Sequence, residues 1–329
     1  MALVLTRKDV EELLTMKEAM SAVEEAFRQY TLGQAIMPLR SVIRIPDYNG
    51  INLAMPAYVG GDLDALGLKV VSVYGDNPKK YGLPAVLATV MLNDPKTGDL
   101  LAIMDGAWLT AMRTGAVSGV ATRYLARENA KTAAVFGAGV QACTQLMAVC
   151  EAREIRLARV YDPLPELQNR YCQEMSERLG IEVVPAPGPR AAVEGSDVII
   201  AASSARTPVF EGEWLSPGTH VNGIGSHTPT TRELDTATIV RSKLVVDQRE
   251  AALAEAGDVI IPINEGHVTA DHIHAELGEV VAGLKEGRAN EAEITAFKSV
   301  GLAIQDVATA TRVYQLAKDK GAGTTLSLS

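Results

Sequence analysis

Between residues 132 and 202 the sequence repeats a strand–turn–helix texture that a parallel sheet clothed by helices absorbs best. Apolar residues 132–136 run into Gly137-Ala138-Gly139-Val140-Gln141-Ala142 and then a helix from about Gln141. A strand over 155–161 precedes a helix over 164–179, and a strand over 181–184 is followed by a helix over 189–193. The apolar strand over 197–202 and later strands over 220–224 and 243–247 complete the run. Strands buried on both faces read as continuous apolar runs, and their alternation with helices predicts an α/β fold with a doubly wound, Rossmann-type parallel sheet.

The glycines give that sheet a ligand. Gly137-x-Gly139-x-x-Ala142 follows an apolar strand directly and opens a helix directly. In such a turn the first glycine permits the tight bend and the second lets the backbone approach a pyrophosphate. The small third residue lets helix and strand pack closely, and the helix N-terminal amides hold the phosphates. An acidic residue about twenty positions on is the expected ribose ligand, and Asp162 closes the next strand. Since Pro163 and Leu164 follow it and a carboxylate repels a 2′-phosphate, NAD(H) is favoured over NADP(H). Arg159, three residues upstream, is the one cation that could complicate this preference.

The amino-terminal part has a different texture. A strand over 2–5 and a helix over 16–33 lead to β runs at 41–45, 51–55, 67–74 and 85–92, parted by Pro, Gly, Asn and Asp. Asp94-Pro-Lys-Thr-Gly-Asp99 reads as a hairpin turn, and a helix rich in Ala, Thr and Gly follows over 107–125. A long helix over 299–318 ends the chain. At 329 residues the chain suits two domains or one large α/β unit. With 31 basic against 40 acidic residues it is no nucleic-acid or anionic-membrane binder by charge. Its charged amino end and the absence of a long apolar stretch suggest a cytoplasmic protein. Cys143, Cys150 and Cys172 match neither a metal-ligand spacing nor an even disulfide set.

Several side chains could do chemistry. Arg40, Arg44, Lys69 and Arg113 are cations set in apolar sequence. Lys69, inside Leu66-Gly-Leu-Lys-Val-Val-Ser-Val, is either a lysine snorkelling from a sheet edge or a buried amine of lowered pKa able to give a proton. Arg113 has no acidic helix partner at i±4, so it is either ion-paired elsewhere or a bidentate carboxylate grip. His227 lies just past the end of a parallel strand, where ligands of such sheets bind, and histidine is the residue type suited to proton transfer at physiological pH. His272 and His274 form His-x-His with no third ligand indicated, so no metal is expected. Ser203 and Ser204 suit a cofactor loop better than a nucleophile.

With these segments the chain resembles the ornithine cyclodeaminase/mu-crystallin family, nearly end to end. The carriers are Met37-Pro-Leu-Arg, Met55-Pro-Ala-Tyr, Gly67-Leu-Lys, Leu101-Ala-Ile-Met-Asp-Gly, Arg113-Thr-Gly-Ala, the glycine turn, Asn222-Gly-Ile-Gly, Ala275-Glu-Leu-Gly-Glu-Val and Lys298-Ser-Val-Gly-Leu-Ala-Ile-Gln-Asp. The resemblance implies a homodimer whose residues 1–118, completed by 300–329, form an α+β dimerisation and substrate domain beside an NAD-binding domain over 119–299. It implies a substrate carboxylate held by Arg40, Lys69 and Arg113, with Lys69 delivering a proton. It further implies dinucleotide contacts from Arg113, Thr114, Gly137, Ala138, Gly139, Val140, Gln141 and Asp162, and a nicotinamide side lined by Ser203, Asn222, Ile224, Gly225 and Ser299.

One departure bears on the reaction. The cyclodeaminases of that family carry an aspartate where this chain has His227 in Gly225-Ser-His-Thr-Pro. A histidine offers no permanent negative charge to a cationic substrate side chain, and fits a neutral or anionic substrate as acid/base or hydrogen-bond donor. The expected activity is therefore NAD(H)-dependent reduction of an imino acid to an L-amino acid, or the reverse dehydrogenation. A cyclodeaminase that recycles bound NAD+ and a non-catalytic dinucleotide-binding protein are the alternatives.

Overall fold

The hairpin-rich amino end and the βαβ middle become two compact units in the computed structural model, which describes residues 1–327. One unit is Met1–Arg113 joined by the chain from Leu302 onward, and the other is Thr114–Gly301. The division falls inside a continuous helix, so no linker composition marks it.

The first unit opens with β1 (Ala2–Leu5), α1 (Arg7–Leu13) and α2 (Met16–Thr31). Thr6 and Asp9 close a capping box on α1, and Thr15 caps α2. There follow β2 (Ala35–Ile36), β3 (Ser41–Ile45), β4 (Gly50–Val59), β5 (Ala65–Tyr74), the short α3 (Asn77–Lys80), β6 (Val86–Asn93), β7 (Leu100–Asp105) and α4 (Gly106–Leu125). The β6–β7 connection is the expected hairpin: the pair is antiparallel, and Asp94 accepts from the amides of Lys96 and Thr97.

The second unit carries β8 (Thr132–Phe136), α5 (Val140–Ala152), β9 (Leu157–Tyr161), α6 (Pro165–Leu179), β10 (Glu182–Pro185), α7 (Pro189–Val193), β11 (Val198–Ala201) and β12 (His220–Gly223). It continues with α8 (Thr236–Arg241), β13 (Lys243–Val246), α9 (Arg249–Glu255), α10 (Gly257–Asn264), β14 (Ile273–Glu276), α11 (Leu277–Val281) and β15 (Thr295–Lys298). The chain then returns to the first unit as α12 (Ala303–Lys320), stopped by Gly321 at φ 63°, and β16 (Thr324–Leu326).

In the first unit the strand order is β16-β1-β7-β6-β5-β4-β2, with β3 also on β4. Alternation along β5 turns Gly67, Lys69 and Val71 to one buried face. That face is covered by α12: a Cβ at Gly67 would stand 3.2 Å from Val307 and 2.7 Å from the Met91 carbonyl, so only glycine admits the helix this closely. Glu18 of α2 pairs with Arg312 of α12 at 2.6 Å, tying the two helices over the sheet.

The second unit is a wholly parallel sheet of order β10-β9-β8-β11-β12-β15-β13-β14. Its apolar strands bury both faces. Ala133, Val135, Ile200 and Val160 pack beneath Leu146, Val149 and Tyr171, while Ala134, Phe136, Ile199 and Val221 line the opposite core. Among the described residues no helix is long and apolar enough to cross a membrane. The expected tail domain piece over 300–329 includes residues 328–329, which lie outside the described ones.

Two expectations need correction. The terminal helix starts at Ala303, not at residue 299, because Asp247 draws Ser299, Val300 and Gly301 into a turn and Gly301 sits at φ 84°. The sheet also has two further strands, β14 and β15. The latter lies between β12 and β13, and its Thr-Ala-Phe-Lys run is too short to announce itself by periodicity.

Candidate functional site

In the first unit the site grows from β5. This strand is interior, pairing Lys69 with Met55 of β4 and Val90 of β6, so the edge-snorkel reading does not hold. The Lys69 side chain is 1% exposed and its Nζ lies 2.7 Å from Asp306 Oδ2. Arg113 Nε lies 2.9 Å from the other oxygen of Asp306, and its Nη1 donates to Gln305 Oε1 at 2.6 Å. Asp306 and Gln305, both fully buried, stand in the first turn of α12.

Two cations thus share one buried carboxylate, and half-buried Arg40 adds a third positive charge felt at Lys69. The buried Nε2 of Gln305 is a donor with no partner among the described residues. Surplus positive charge and a surplus donor suit an anion, and a substrate carboxylate supplies one. Burial is the main force on Lys69, pushing it down to about 7 against the pull of Asp306, with Arg113 and Arg40 adding to the fall. An amine of that pKa can give or take a proton at neutral pH. Arg44, by contrast, is exposed on β3.

In the second unit the strand order reverses between β8 and β11, the place where ligands bind in such sheets. The glycine turn leaves β8 there. Gly137 has φ 99°, and a Cβ on it would stand 2.6 Å from the Ala202 carbonyl and 3.1 Å from Ser203 Cα. Glycine is required at 137 by the protein itself. At Gly139 nothing is required by the protein: the backbone is extended, and a Cβ would meet no atom within 4 Å. Gly139 is the N-cap of α5 and no side chain caps that helix, so the first-turn amides of Val140, Gln141 and Ala142 await an acceptor. Open space over uncapped amides fits a pyrophosphate.

Asp162 accepts from the amides of Ala138 at 3.1 Å and Leu164 at 2.9 Å, which fixes its carboxylate beside the turn. Arg159 donates to Ser196 Oγ at 3.4 Å, at the amino-terminal approach to β11, and so reaches away from Asp162. Exposed Val140 flanks the turn, and the Thr114 carbonyl accepts from Gln145 Nε2 at 2.7 Å, fastening the start of this unit to α5. Gly139→Ala is expected to leave stability unchanged while weakening NADH binding by roughly tenfold or more, because a methyl enters only the ligand's space. Gly137→Ala should instead lower the melting temperature. Calorimetric melting beside NADH titration separates the two.

The remaining predicted residues border the carboxyl ends of β11, β12 and β15. Ser203 donates its amide and hydroxyl to Glu233 Oε1 at 2.7 and 2.6 Å, and the Gly225 amide donates to Glu233 Oε2 at 2.6 Å. Buried Ile224 donates its amide to the Ala201 carbonyl at 2.9 Å. Asn222 is fully buried, donating to Thr122 Oγ1 at 3.0 Å and facing His220 Nε2 at 3.2 Å. Burial pushes that imidazole down to about 3, so it is neutral. Ser299 donates to Asp247 Oδ2 at 2.8 Å. The side chains of Asn222 and Ser299 are therefore committed to the protein, and they shape the strand ends rather than offering free polar groups. His227 is exposed in the loop after β12, its Nδ1 3.2 Å from the Gly225 carbonyl.

His272 and His274 each face a backbone carbonyl, of Ile239 and Glu286. Among the described residues no three metal-ligating side chains converge. Burial pushes the Cys150 and Cys172 thiols up to about 12 and 11, which leaves them packing groups. The residues that sequence reasoning missed are Gln305 and Asp306 in the first unit and Glu233, Asp258 and Lys298 in the second. The one available signal for Asp306 was a carboxylate two residues after the apolar pair Ala303-Ile304 that opens the helix.

The reversal of strand order, the glycine turn and the uncapped helix define a dinucleotide-binding, doubly wound α/β protein. Over residues 1–321 the chain matches the ornithine cyclodeaminase/mu-crystallin family, and it belongs to that family. Among solved structures it is similar to Δ1-pyrroline-2-carboxylate reductase of Thermococcus litoralis in complex with NADH and L-proline. The two are 52% identical, with a TM-score of 0.95 over 98% of this chain and 100% of that one. An archaeal alanine dehydrogenase dimer with bound NAD is 40% identical, with a TM-score of 0.92 over 100% of this chain and 99% of that one. Iminosuccinate reductase of Paracoccus denitrificans, solved with NAD+, is 29% identical, with a TM-score of 0.92 over 99% of each chain.

Proposed function

We propose that this protein is an NAD(H)-dependent imino-acid reductase that takes a cyclic ketimine carboxylate of the Δ1-pyrroline-2-carboxylate class to the L-amino acid, and that it runs in reverse as an amino-acid dehydrogenase. The observation that carries this reading is the buried Lys69–Asp306–Arg113 cluster, an anion grip that contains its own proton donor. The 52% identity to a reductase solved with NADH and L-proline supports the choice of substrate class.

Arg113 and Arg40 bind the substrate carboxylate and so fix the C=N bond relative to Lys69. Lys69, protonated while its Nζ faces Asp306, gives its proton to the imine nitrogen. NADH, when bound, supplies the hydride that the imine carbon accepts. The sum is one C=N bond reduced at the cost of one proton and one hydride, with NAD+ and a secondary amine as products. Gly137, Ala138, Gly139, Val140, Gln141 and Asp162 hold the dinucleotide, with Asp162 selecting a free ribose 2′-hydroxyl. Ser203, Ile224, Gly225 and Ser299 form its border, and His227 is the one exposed acid/base in that loop.

A homodimer completes the proposal. On the first unit Ile36, Leu39, Val42 and Ile43 around β2 and β3 are exposed apolar side chains, which a partner copy would cover. The archaeal alanine dehydrogenase is a dimer.

The test is NADH oxidation, run beside NADPH, with Δ1-pyrroline-2-carboxylate, other preformed cyclic imines, iminosuccinate, and pyruvate with ammonia or methylamine. Cyclic imines should turn over fastest, and with NADH. Turnover of iminosuccinate alone would remove the cyclic class. Ammonia release from ornithine or lysine with catalytic NAD+, and no NADH consumption, would restore cyclodeamination.

A further inference from the structure

The second unit holds a buried polar knot that the proposed reaction does not use. Glu233, Asp258 and Lys298 are each fully buried. Each oxygen of Glu233 accepts a backbone amide, Oε1 from Ser203 and Oε2 from Gly225, and Oε1 also meets the Ser203 hydroxyl. Burial raises the pKa of this carboxyl, while the Ser203 hydroxyl and amide and the charge of Lys298 pull it back toward the ionised form. Asp258 Oδ1 accepts the amides of Glu233 and Leu234 at 2.7 and 2.8 Å, and its Oδ2 lies 2.8 Å from Lys298 Nζ. Lys298 spends a further bond on the Ser226 carbonyl at 2.5 Å. Arg232, adjacent in sequence to Glu233, turns to Glu265 at 3.4 Å. The knot therefore carries two carboxylates and one cation.

Its place is informative. It joins the loops leaving β11 and β12 to the last residue of β15, all at the carboxyl edge of the sheet. Ser203, held by Glu233, is the residue whose Cα would stand 3.1 Å from a Cβ on Gly137. The loops touch closely enough that a Cβ on Gly225 would stand 2.2 Å from the Ser203 carbonyl. With Asp162 on the β9 side of the switch point, the adenosine half belongs over β8 and β9, and the nicotinamide half over β11 and β12.

We infer that the Glu233–Asp258–Lys298 knot places uncompensated negative charge beneath the nicotinamide half of the site, so that the protein discriminates in favour of the oxidised, positively charged ring over the neutral reduced one. The inference rests on reading this unit as dinucleotide-binding and is independent of which imine is reduced.

The experiment is titration of the purified full-length chain with NAD+ and, separately, with NADH, by calorimetry at low salt and without imine. Wild type is compared with Glu233→Gln, Asp258→Asn and Glu233→Asp, and each is first checked by thermal melting. Removing one negative charge should raise Kd for NAD+ relative to Kd for NADH by roughly three- to tenfold. Glu233→Asp, which keeps the charge, should restore the wild-type ratio. Equal weakening of both nucleotides in Glu233→Gln and Asp258→Asn, or an unchanged ratio, would overturn the inference and leave the knot a loop fastener. If either neutralising variant fails to fold, the other decides. Wild type binding neither nucleotide would instead remove the dinucleotide reading, and this inference with it.

Discussion

Replacing Lys69 with methionine is expected to slow imine reduction by roughly a hundredfold to ten-thousandfold, the usual contribution of a placed general acid. NADH affinity should stay at its wild-type value, since the glycine turn belongs to the other compact unit. The fold should survive as well, for an electrostatic reason. Lys69 and Arg113 share the single carboxylate of Asp306, so methionine leaves a balanced Arg113–Asp306 pair and removes a cation that burial disfavours. Thermal melting, NADH titration and steady-state kinetics on one preparation distinguish this from unfolding. Wild-type turnover in Lys69→Met would assign the proton to another donor.

Asp306→Asn, unlike Lys69→Met, is expected to lower stability sharply. It strands two buried cations, and loss of one partner of a buried pair costs about 3–5 kcal/mol. Adding Lys69→Met to it should recover part of that loss, a coupling that a double-mutant cycle measures. The catalytic signature is the pH profile. Lys69 must be protonated to act as donor, and its pKa is lowered to about 7 chiefly by burial, with Asp306 opposing the fall. In wild type kcat/KM for reduction is therefore level below about 7 and declines as pH rises through it. Without the carboxylate nothing on α12 opposes burial, Arg113 or Arg40, so the break moves to lower pH and activity returns only in more acidic buffer. A break that stays in place would show that Asp306 does not govern Lys69.

What was legible in the chain was local. The fold of the second unit follows from apolar runs and from a glycine pattern whose strand, turn and helix are contiguous, and Asp162 completes it from the next strand. The cations were visible too, because Lys69 and Arg113 stand out in apolar sequence. Their partner was not visible. Asp306 reaches Lys69 only because α12 closes over β5 at Gly67, a contact between chain segments far apart in sequence. The same holds for Glu233, whose carboxylate meets Ser203 and Gly225 across two loops. Short elements hidden in polar company were also lost: β15 is four residues long, and Asp247 delays the terminal helix by recruiting Ser299 to Gly301. Periodicity reports which face a residue takes, and it is silent on what that face meets.

This chain is expected to move a hydride equivalent and a proton onto the C=N bond of a ketimine carboxylate. The most direct test is a single vessel containing the purified protein, Δ1-pyrroline-2-carboxylate and NADH, with the products resolved by chiral chromatography. The expected result is L-proline formed mole for mole with NAD+, no D-proline, and product formation slowed by roughly a hundredfold or more when Lys69→Met replaces the wild-type protein. Intact imine and intact NADH after prolonged incubation with wild type would contradict it.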